Sequence, residues 1–244
     1  MRNVLITGAA SGIARDAALR FLKNADRVIA CDRDAKGLDG LERETGVDAS
    51  RLIKCRMDLT DLDSLDAAVG EVERIGSLDV LVNCAGICSG TPLDAIGPAE
   101  WDRMFAVNVR GPFFLTQRLI PWLRKGKDAC IVNVSSMAGF TGGIQSNPAY
   151  SASKAAVTTT TRNLAKFLAS SKIRVNEVSP GTAQTNMTLD WLGEEGLKQF
   201  VDKVPLGRLA RAEDVGKVIF FLASQDAGFI TGQSIQVNGG MYIP

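Results

Sequence analysis

Short apolar runs rich in β-branched residues alternate along this chain with longer stretches whose apolar positions recur at helical period. The runs are VLIT (4–7), RVIAC (27–31), RLIKC (51–55), LDVLVN (78–83), CIVNVS (130–135), IRVNEVS (173–179) and SIQVN (234–238). Helices are predicted to fill most of the gaps, beginning near Gly12, Ala35, Asp61, Ala99, Tyr150 and Ala212. Strands separated by helical stretches are the mark of βαβ units, so the expected fold is a parallel sheet covered on both faces. The alternation never breaks, which argues for one domain without a linker.

Two segments depart from this rhythm. From about 183 to 211 the chain carries Gly, Trp, Pro and scattered charge around a short helical pattern. An insertion there, after the sixth strand, is where a lid over a ligand would sit. The other segment is the run Thr158 to Thr161, four β-branched residues within a helical pattern. Their low helix propensity means that tertiary or subunit packing must hold this helix.

Composition narrows the function. Lys and Arg number 28 against 27 Asp and Glu, so no net field exists to hold a nucleic-acid backbone or an anionic bilayer. No apolar run approaches the length of a membrane span, and MRNVLITG enters a strand pattern at once, so a cytoplasmic protein is expected. Cys31, Cys55, Cys84, Cys88 and Cys130 include no CxxC pair, and the chain has no His, so they read as reduced thiols and no metal site is expected.

The absence of His also raises the question of what could move protons at neutral pH. YSASK (150–154) places a phenol and an ammonium at i and i+4 on one helix face. At roughly 4 to 5 Å and an effective dielectric near 20, the ammonium would favour the phenolate by about 3 to 4 kcal/mol. That would lower the phenol by roughly 2 to 3 units, toward neutrality, and make Tyr150 a usable general acid or base. Taken alone, such a pair occurs often by chance.

Its context is more specific. Thr7-Gly8-Ala9-Ala10-Ser11-Gly12-Ile13-Ala14 is a glycine-rich turn opening a helix, whose amides and N-terminus suit a pyrophosphate; an ordinary βα turn is the alternative. Asp32 ends the second strand, about where a carboxylate reaches the adenosine ribose hydroxyls and would repel a 2′-phosphate, which favours NAD over NADP. Arg33 beside it works against that preference, and a solvated turn is the other reading of Asp32. Asp58, followed by Leu59, could accept from the adenine amino group or cap the next helix. Ser135 and Ser136 close the fifth strand at the sheet edge where ligands bind, and a hydroxyl there could hold a substrate oxygen beside Tyr150.

With these motifs together, the chain resembles the short-chain dehydrogenase/reductase family over essentially its whole length. TGAASGIA (7–14), LVNCAG (81–86), NVRGPF (108–113), VSSMAG (134–139), YSASK (150–154), SPGTAQT (179–185) and ITGQSIQVNGGMY (230–242) carry the likeness. The C-terminal part from Val204 is similar to bacterial 3-oxoacyl-carrier-protein reductases and related sugar and alcohol dehydrogenases. The resemblance implies a Rossmann-like, doubly wound, seven-stranded sheet in a single domain. It also implies a catalytic set of Asn108, Ser136, Tyr150 and Lys154, with Tyr150 exchanging a proton, Ser136 holding the substrate oxygen, Lys154 binding the nicotinamide ribose and Asn108 anchoring a water. The cofactor would meet Gly8, Ser11, Gly12, Ile13, Asp32, Arg33, Asp58 and Leu59. The backbone around Asn83, Ala85 and Gly86 would line its adenosine side, with Tyr150, Lys154, Pro180, Gly181, Ala183 and Thr185 toward the nicotinamide. Substrate choice would rest with Ser136, Tyr150, Gln145 and Trp191. Departures from the family pattern are Ala14 for a third glycine, Cys84 for a second asparagine, and one extra residue between Ser136 and Tyr150.

The activity expected is hydride transfer between NAD and a secondary alcohol or its ketone, as in a sugar or polyol dehydrogenase. The alternative is an NADPH-linked 3-oxoacyl-carrier-protein reductase, for which Arg124, Lys125, Lys127 and Lys172 could meet an acidic carrier, or simply be a solvated helix end. A dinucleotide sensor would have no need of all four catalytic positions. Family likeness also implies a homotetramer packed through the helices beginning near Ala99 and Tyr150.

Overall fold

The computed structural model describes residues 1–143 and 147–244, apart from the side chains of residues 186, 190 and 191. Seven strands form one sheet: β1 (Asn3–Thr7), β2 (Arg27–Asp32), β3 (Leu52–Arg56), β4 (Val80–Asn83), β5 (Cys130–Val134), β6 (Arg174–Pro180) and β7 (Ser234–Val237). Their order is β3-β2-β1-β4-β5-β6-β7, and every neighbouring pair is parallel. Each of the seven apolar runs became a strand within one or two residues of its expected bounds, because residues buried on both faces leave β-branched side chains little alternative.

The helices are α1 (Gly12–Lys23), α2 (Ala35–Thr45), α3 (Leu65–Ile75), α4 (Pro98–Phe105), α5 (Gly111–Leu123), α6 (Ala138–Thr141), α7 (Pro148–Leu168), α8 (Asn186–Val201) and α9 (Ala212–Leu222). One face of the sheet packs Val4, Ile6 and Val132 against Phe21 of α1, Leu38 of α2 and Ile219 of α9. The other packs Leu5, Ile29 and Ile131 against Leu65 of α3, Leu115 of α5 and Ala165 of α7. Successive strands leave β1 in opposite directions, so a crevice opens between the carboxyl ends of β1 and β4, where open α/β sheets bind ligands.

Three elements differ from expectation. The helix expected near Asp61 starts at Leu65. The intervening side chains bond their own backbone, Asp58 Oδ1 accepting from Thr60 N at 2.9 Å and Asp61 Oδ1 from Asp63 N at 3.0 Å, and such turns compete with helix. The helix expected from Ala99 is interrupted by a π turn at Ala106–Arg110. Pro112, just beyond it, has no N–H to return to the preceding turn, which loosens the ladder there. The helix within 183–211 is longer than expected, sixteen residues with a break at Gly193, where φ is +64°.

The threonine run is held by tertiary bonds. In α7, Thr158 Oγ1 donates to Glu177 Oε1 at 2.9 Å, and Thr161 Oγ1 accepts from Asn133 Nδ2 at 2.8 Å. All five cysteines are free, with Cys31, Cys55 and Cys130 buried. Among the described residues no group of His, Cys, Asp or Glu could hold a metal, and no helix is long and apolar enough to cross a membrane.

Candidate active site

A cleft of ≈ 380 Å³ runs along the carboxyl edge of the sheet, from Asp32 at one end to Ser136, Tyr150 and Lys154 at the other. Its floor at the crevice is the turn after β1. Gly8 adopts φ +80°, and a Cβ there would stand 2.9 Å from the Ala85 Cα, so only glycine lets the two loops approach this closely. Thr7 Oγ1 fixes the facing loop by accepting from Cys84 N and Ala85 N, each at 3.1 Å. Ser11 is the N-cap of α1, yet no side chain bonds the first amides of that helix, which stay open to the cleft. Open amides at a helix N-terminus form a ready anion site.

Asp32 is fixed at the outer end. Its Oδ2 accepts from Ala10 N at 3.0 Å and its Oδ1 from Asp34 N at 2.9 Å, leaving further lone pairs toward the cleft. Arg33 lines the same end. Asp58 lines it too, and its role as cap of the next helix fails: Ser64 takes the N-cap of α3, while Asp58 closes a turn with Thr60.

The inner end is built on the start of α7. Asn147 caps this helix, its Oδ1 accepting from Ala149 N at 2.8 Å, and Pro148 occupies the first turn where its missing N–H costs nothing. Tyr150 follows in that first turn and lines the cleft together with Ser136, which lies just past the end of β5. Glu100 of α4 clamps the corner: its Oε1 accepts from Asn147 Nδ2 at 2.8 Å and from the Ser89 hydroxyl. Lys154, one turn beyond Tyr150, is 5 % exposed and donates from Nζ to Val134 O at 2.9 Å.

The electrostatics correct the sequence reading. Lys154 Nζ lies 5.8 Å from the centre of the Tyr150 ring, so the two groups are neighbours as expected. The phenol is nevertheless pushed well above its ordinary value rather than drawn toward neutrality, first by burial, then by Cys88, with the Ser136 hydroxyl opposing. The expectation took the attraction of the ammonium and omitted the cost of desolvating a phenolate, which dominates here. Lys154 itself is lowered by burial, while Cys84, Cys88 and Glu177 favour its charge.

Gly8, Ser11, Gly12, Ile13, Asp32, Arg33, Asp58, Leu59, Ala85, Gly86, Ser136, Tyr150, Lys154, Pro180, Gly181, Ala183 and Thr185 all line the cleft. Asn83 does not. Its side chain turns to the opposite face of the sheet, where Nδ2 donates to Thr116 Oγ1 at 3.0 Å and Asn133 Oδ1 at 2.9 Å. Asn108 also lies behind the cleft, in the π turn, bonding Ile87 N, Ile87 O and Ser153 Oγ. It touches the site through Gly86, where a Cβ would stand 3.2 Å from both Asn108 Oδ1 and Lys154 Nζ. Gln145 and the side chain of Trp191 fall outside the described residues. Sequence reasoning missed Thr7, the Glu100–Ser89–Asn147 clamp, and Met187 and Thr188, which bring α8 to the cleft. The threonine beside Gly8 was a readable signal, whereas the clamp joins three separate segments and left none. Arg124, Lys125, Lys127 and Lys172 precede β5 and β6 and so sit at the amino edge of the sheet, opposite this chain's own cleft.

A doubly wound parallel sheet with a glycine-cradled anion site and a Ser/Tyr/Lys cluster at its carboxyl edge is the frame of a dinucleotide-linked oxidoreductase. A family model described as Enoyl-(Acyl carrier protein) reductase matches residues 8–242, and the chain belongs to the short-chain dehydrogenase/reductase family. Among its relatives is the 3-oxoacyl-[acyl-carrier-protein] reductase FabG of Thermotoga maritima, 40% identical over 243 residues that cover 98% of this chain and 97% of the relative. A short-chain dehydrogenase/reductase of Brucella melitensis, described as glucose/ribitol dehydrogenase, superposes with TM-score 0.93 at 35% identity, covering 100% of this chain and 97% of the other. The 3-ketoacyl-(acyl-carrier-protein) reductase of the same organism, solved with NADH, gives TM-score 0.91 at 33% identity, covering 99% and 98%. The protein is thus an enzyme of this family, acting on CH–OH groups and the corresponding ketones with a nicotinamide cofactor.

Proposed function

We propose that the chain is a reductase of 3-oxoacyl thioesters that uses NADH. The observation that carries this reading is the buried phenol of Tyr150 gathered with Ser136 and Lys154 at the carboxyl edge of the sheet, beside the Gly8 cradle. Such a phenol keeps its proton at neutral pH and can give it to a ketone oxygen, its phenolate taking the proton back in the reverse reaction. Relatives named as 3-oxoacyl reductases favour reduction over the alcohol-oxidising reading.

The open amides of Gly12 and its neighbours, the Gly8 approach and the Asp32 carboxylate fit a dinucleotide's pyrophosphate and ribose. When bound, the nicotinamide supplies the hydride. In this reading, Ser136 and Tyr150 together donate to the substrate's carbonyl oxygen, as an oxyanion site does. Tyr150 then delivers its proton to that oxygen, giving the hydroxyl. Lys154 stabilises the phenolate left behind and holds the nicotinamide ribose. Asn108 positions Gly86, Ile87 and Ser153 behind the lysine. The α8 segment, through Met187 and Thr188, serves as the lid over the substrate, and Asp32 selects NADH by opposing a 2′-phosphate. Trp101 and Phe113, 42% and 39% exposed beside α7, support assembly of a homotetramer through these helices.

The test is reduction of an acetoacetyl thioester of pantetheine by the purified protein with NADH, followed by loss of NADH absorbance, beside oxidation of a panel of polyols with NAD. The proposal expects rapid thioester reduction. Polyol oxidation without thioester reduction would replace it by the dehydrogenase reading, and tight NADH binding without either reaction would leave a sensor.

A further inference from the structure

The turn that follows β7 touches both the cleft and the α8 segment. Asn238, buried in this turn, closes it: its Oδ1 accepts from Gly240 N at 2.9 Å, and its Nδ2 donates to Tyr242 O at 2.8 Å. Against it lies the lining of the cleft, where Gly181 N donates to Val237 O at 3.0 Å and a Cβ on Gly181 would stand 2.9 Å from the Asn238 Cβ. The turn also rides over the end of α8. Leu206 N donates to Gly239 O at 3.1 Å, and a Cβ on Gly239 would meet Val204 Cγ1 at 2.6 Å. Met241 packs with Leu197, Phe200, Val204 and Leu209, the small separate core of that segment.

The next residue, Tyr242, stacks its ring on Phe140, with centroids 5.8 Å apart and planes 30° from parallel. Phe140 belongs to α6, and a helix of four residues keeps its shape only through its packing. From one direction α7 supplies that packing: a Cβ on Gly139 would stand 2.8 Å from Ala155 N, and Ser151 Oγ donates to Gly142 O at 2.7 Å. The Tyr242 ring adds a second support. Ser136, at the head of α6, depends on both. Its Oγ accepts from Ala138 N at 3.1 Å and its carbonyl from Gly139 N at 3.0 Å. A hydroxyl that accepts from an amide still has its own hydrogen to give, and here that hydrogen is aimed by the place of the Ala138 amide. Displacing α6 moves the amide and lets the hydroxyl turn.

We propose that Tyr242 is a positioning residue for the substrate-oxygen site: its ring, stacked on Phe140, holds α6 in place and through α6 aims the Ser136 hydroxyl. This rests on the reading of Ser136 as the holder of the substrate oxygen given above. Because Met241 in the same turn belongs to the core of the α8 segment, the turn joins the lid to the group that meets the substrate.

Tyr242→Ala removes the ring and keeps the backbone carbonyl that Asn238 holds, so the turn stays closed. Turnover of an acetoacetyl thioester of pantetheine with NADH should fall about tenfold while NADH affinity holds, and Tyr242→Phe, which keeps the stack, should restore most of it. In a Ser136→Ala background the same Tyr242→Ala change should cost less than about twofold further, because the hydroxyl through which Tyr242 acts is already gone. A merely structural residue would cost as much in either background. That result, or unchanged turnover in Tyr242→Ala, would overturn the proposal. A second measurement needs no activity: hydrogen exchange of the amides of residues 138–142, read by mass spectrometry, should be faster in Tyr242→Ala than in wild type, with α1 unchanged. Unchanged exchange in 138–142 would overturn the proposal. Should the wild-type protein reduce no thioester, the proposed activity fails, while the exchange still decides whether Tyr242 holds α6.

Discussion

Asp32 offers the sharpest test of the cofactor assignment. Two amides, Ala10 N at 3.0 Å and Asp34 N at 2.9 Å, hold its carboxylate at the outer end of the cleft, where the ribose of a dinucleotide would meet it. Replacing a 2′-hydroxyl by a phosphate would set like charges roughly 4 to 5 Å apart. At an effective dielectric of about 20 to 40 that costs about 2 to 4 kcal/mol per unit charge. The corresponding discrimination is roughly 30- to 850-fold against NADPH. Asp32→Ser removes the charge and keeps a small polar group, leaving the exposed Arg33 free to meet a phosphate. We expect the ratio of kcat/KM for NADPH to that for NADH to rise at least about tenfold, with NADH itself bound less well. The assay is initial-rate kinetics with both cofactors at neutral pH, with the thermal midpoint recorded because Asp32 also braces the glycine-rich turn. A wild-type preference for NADPH, or an unchanged ratio in the variant, would refute the argument.

Three other outcomes follow from the geometry. Glu100→Ala releases Asn147 and Ser89 from their shared carboxylate, so Tyr150 is placed less well; kcat should fall by about tenfold or more while NADH affinity holds, measured by kinetics and cofactor titration. Asp214, at the start of α9, is held down to about 2 by the Arg208 guanidinium and the Arg211 amide. Because this carboxyl is depressed on folding, its stabilisation is present above its unfolded value near about 3.9 and is lost as pH falls through about 2. Thermal scans of Asp214→Asn should therefore show a lower midpoint than wild type at pH 5 to 8 (roughly the range of full ionisation), converging with it in strong acid. Finally, burial raises Cys84 to about 12, and Cys88 and Cys130 to about 11, so iodoacetamide at pH 8 should label these three thiols slowly in the native protein and rapidly in the unfolded chain, as read by peptide mass spectrometry.

What was legible in the sequence, and what was not, divides along physical lines. The strands were legible because two-sided burial leaves a one-dimensional trace, as in VLIT and CIVNVS. The glycine turn, Asp32, Ser136 and Tyr150 were legible because each sits at a strand end or helix start, where topology delivers side chains to the same edge. The side-chain bonds of Asn83 were not legible, since its place in a strand-end motif does not reveal which face of the sheet its side chain takes. The π turn around Asn108 depends on a helix interrupted from within, which helical periodicity smooths over. The direction of the Tyr150 shift was the largest error. A pairwise attraction can be read from the spacing of YSASK, but the desolvation that outweighs it belongs to the whole packed site.

The central claim is that the Tyr150 phenol gives its proton to a ketone oxygen held beside Ser136. Tyr150→Phe keeps the ring and removes that proton, so the measurement is turnover of the variant with NADH and an acetoacetyl thioester, together with NADH affinity. We predict turnover lower by about 10²- to 10⁴-fold with NADH still bound comparably. Turnover close to wild type would show that the proton comes from elsewhere.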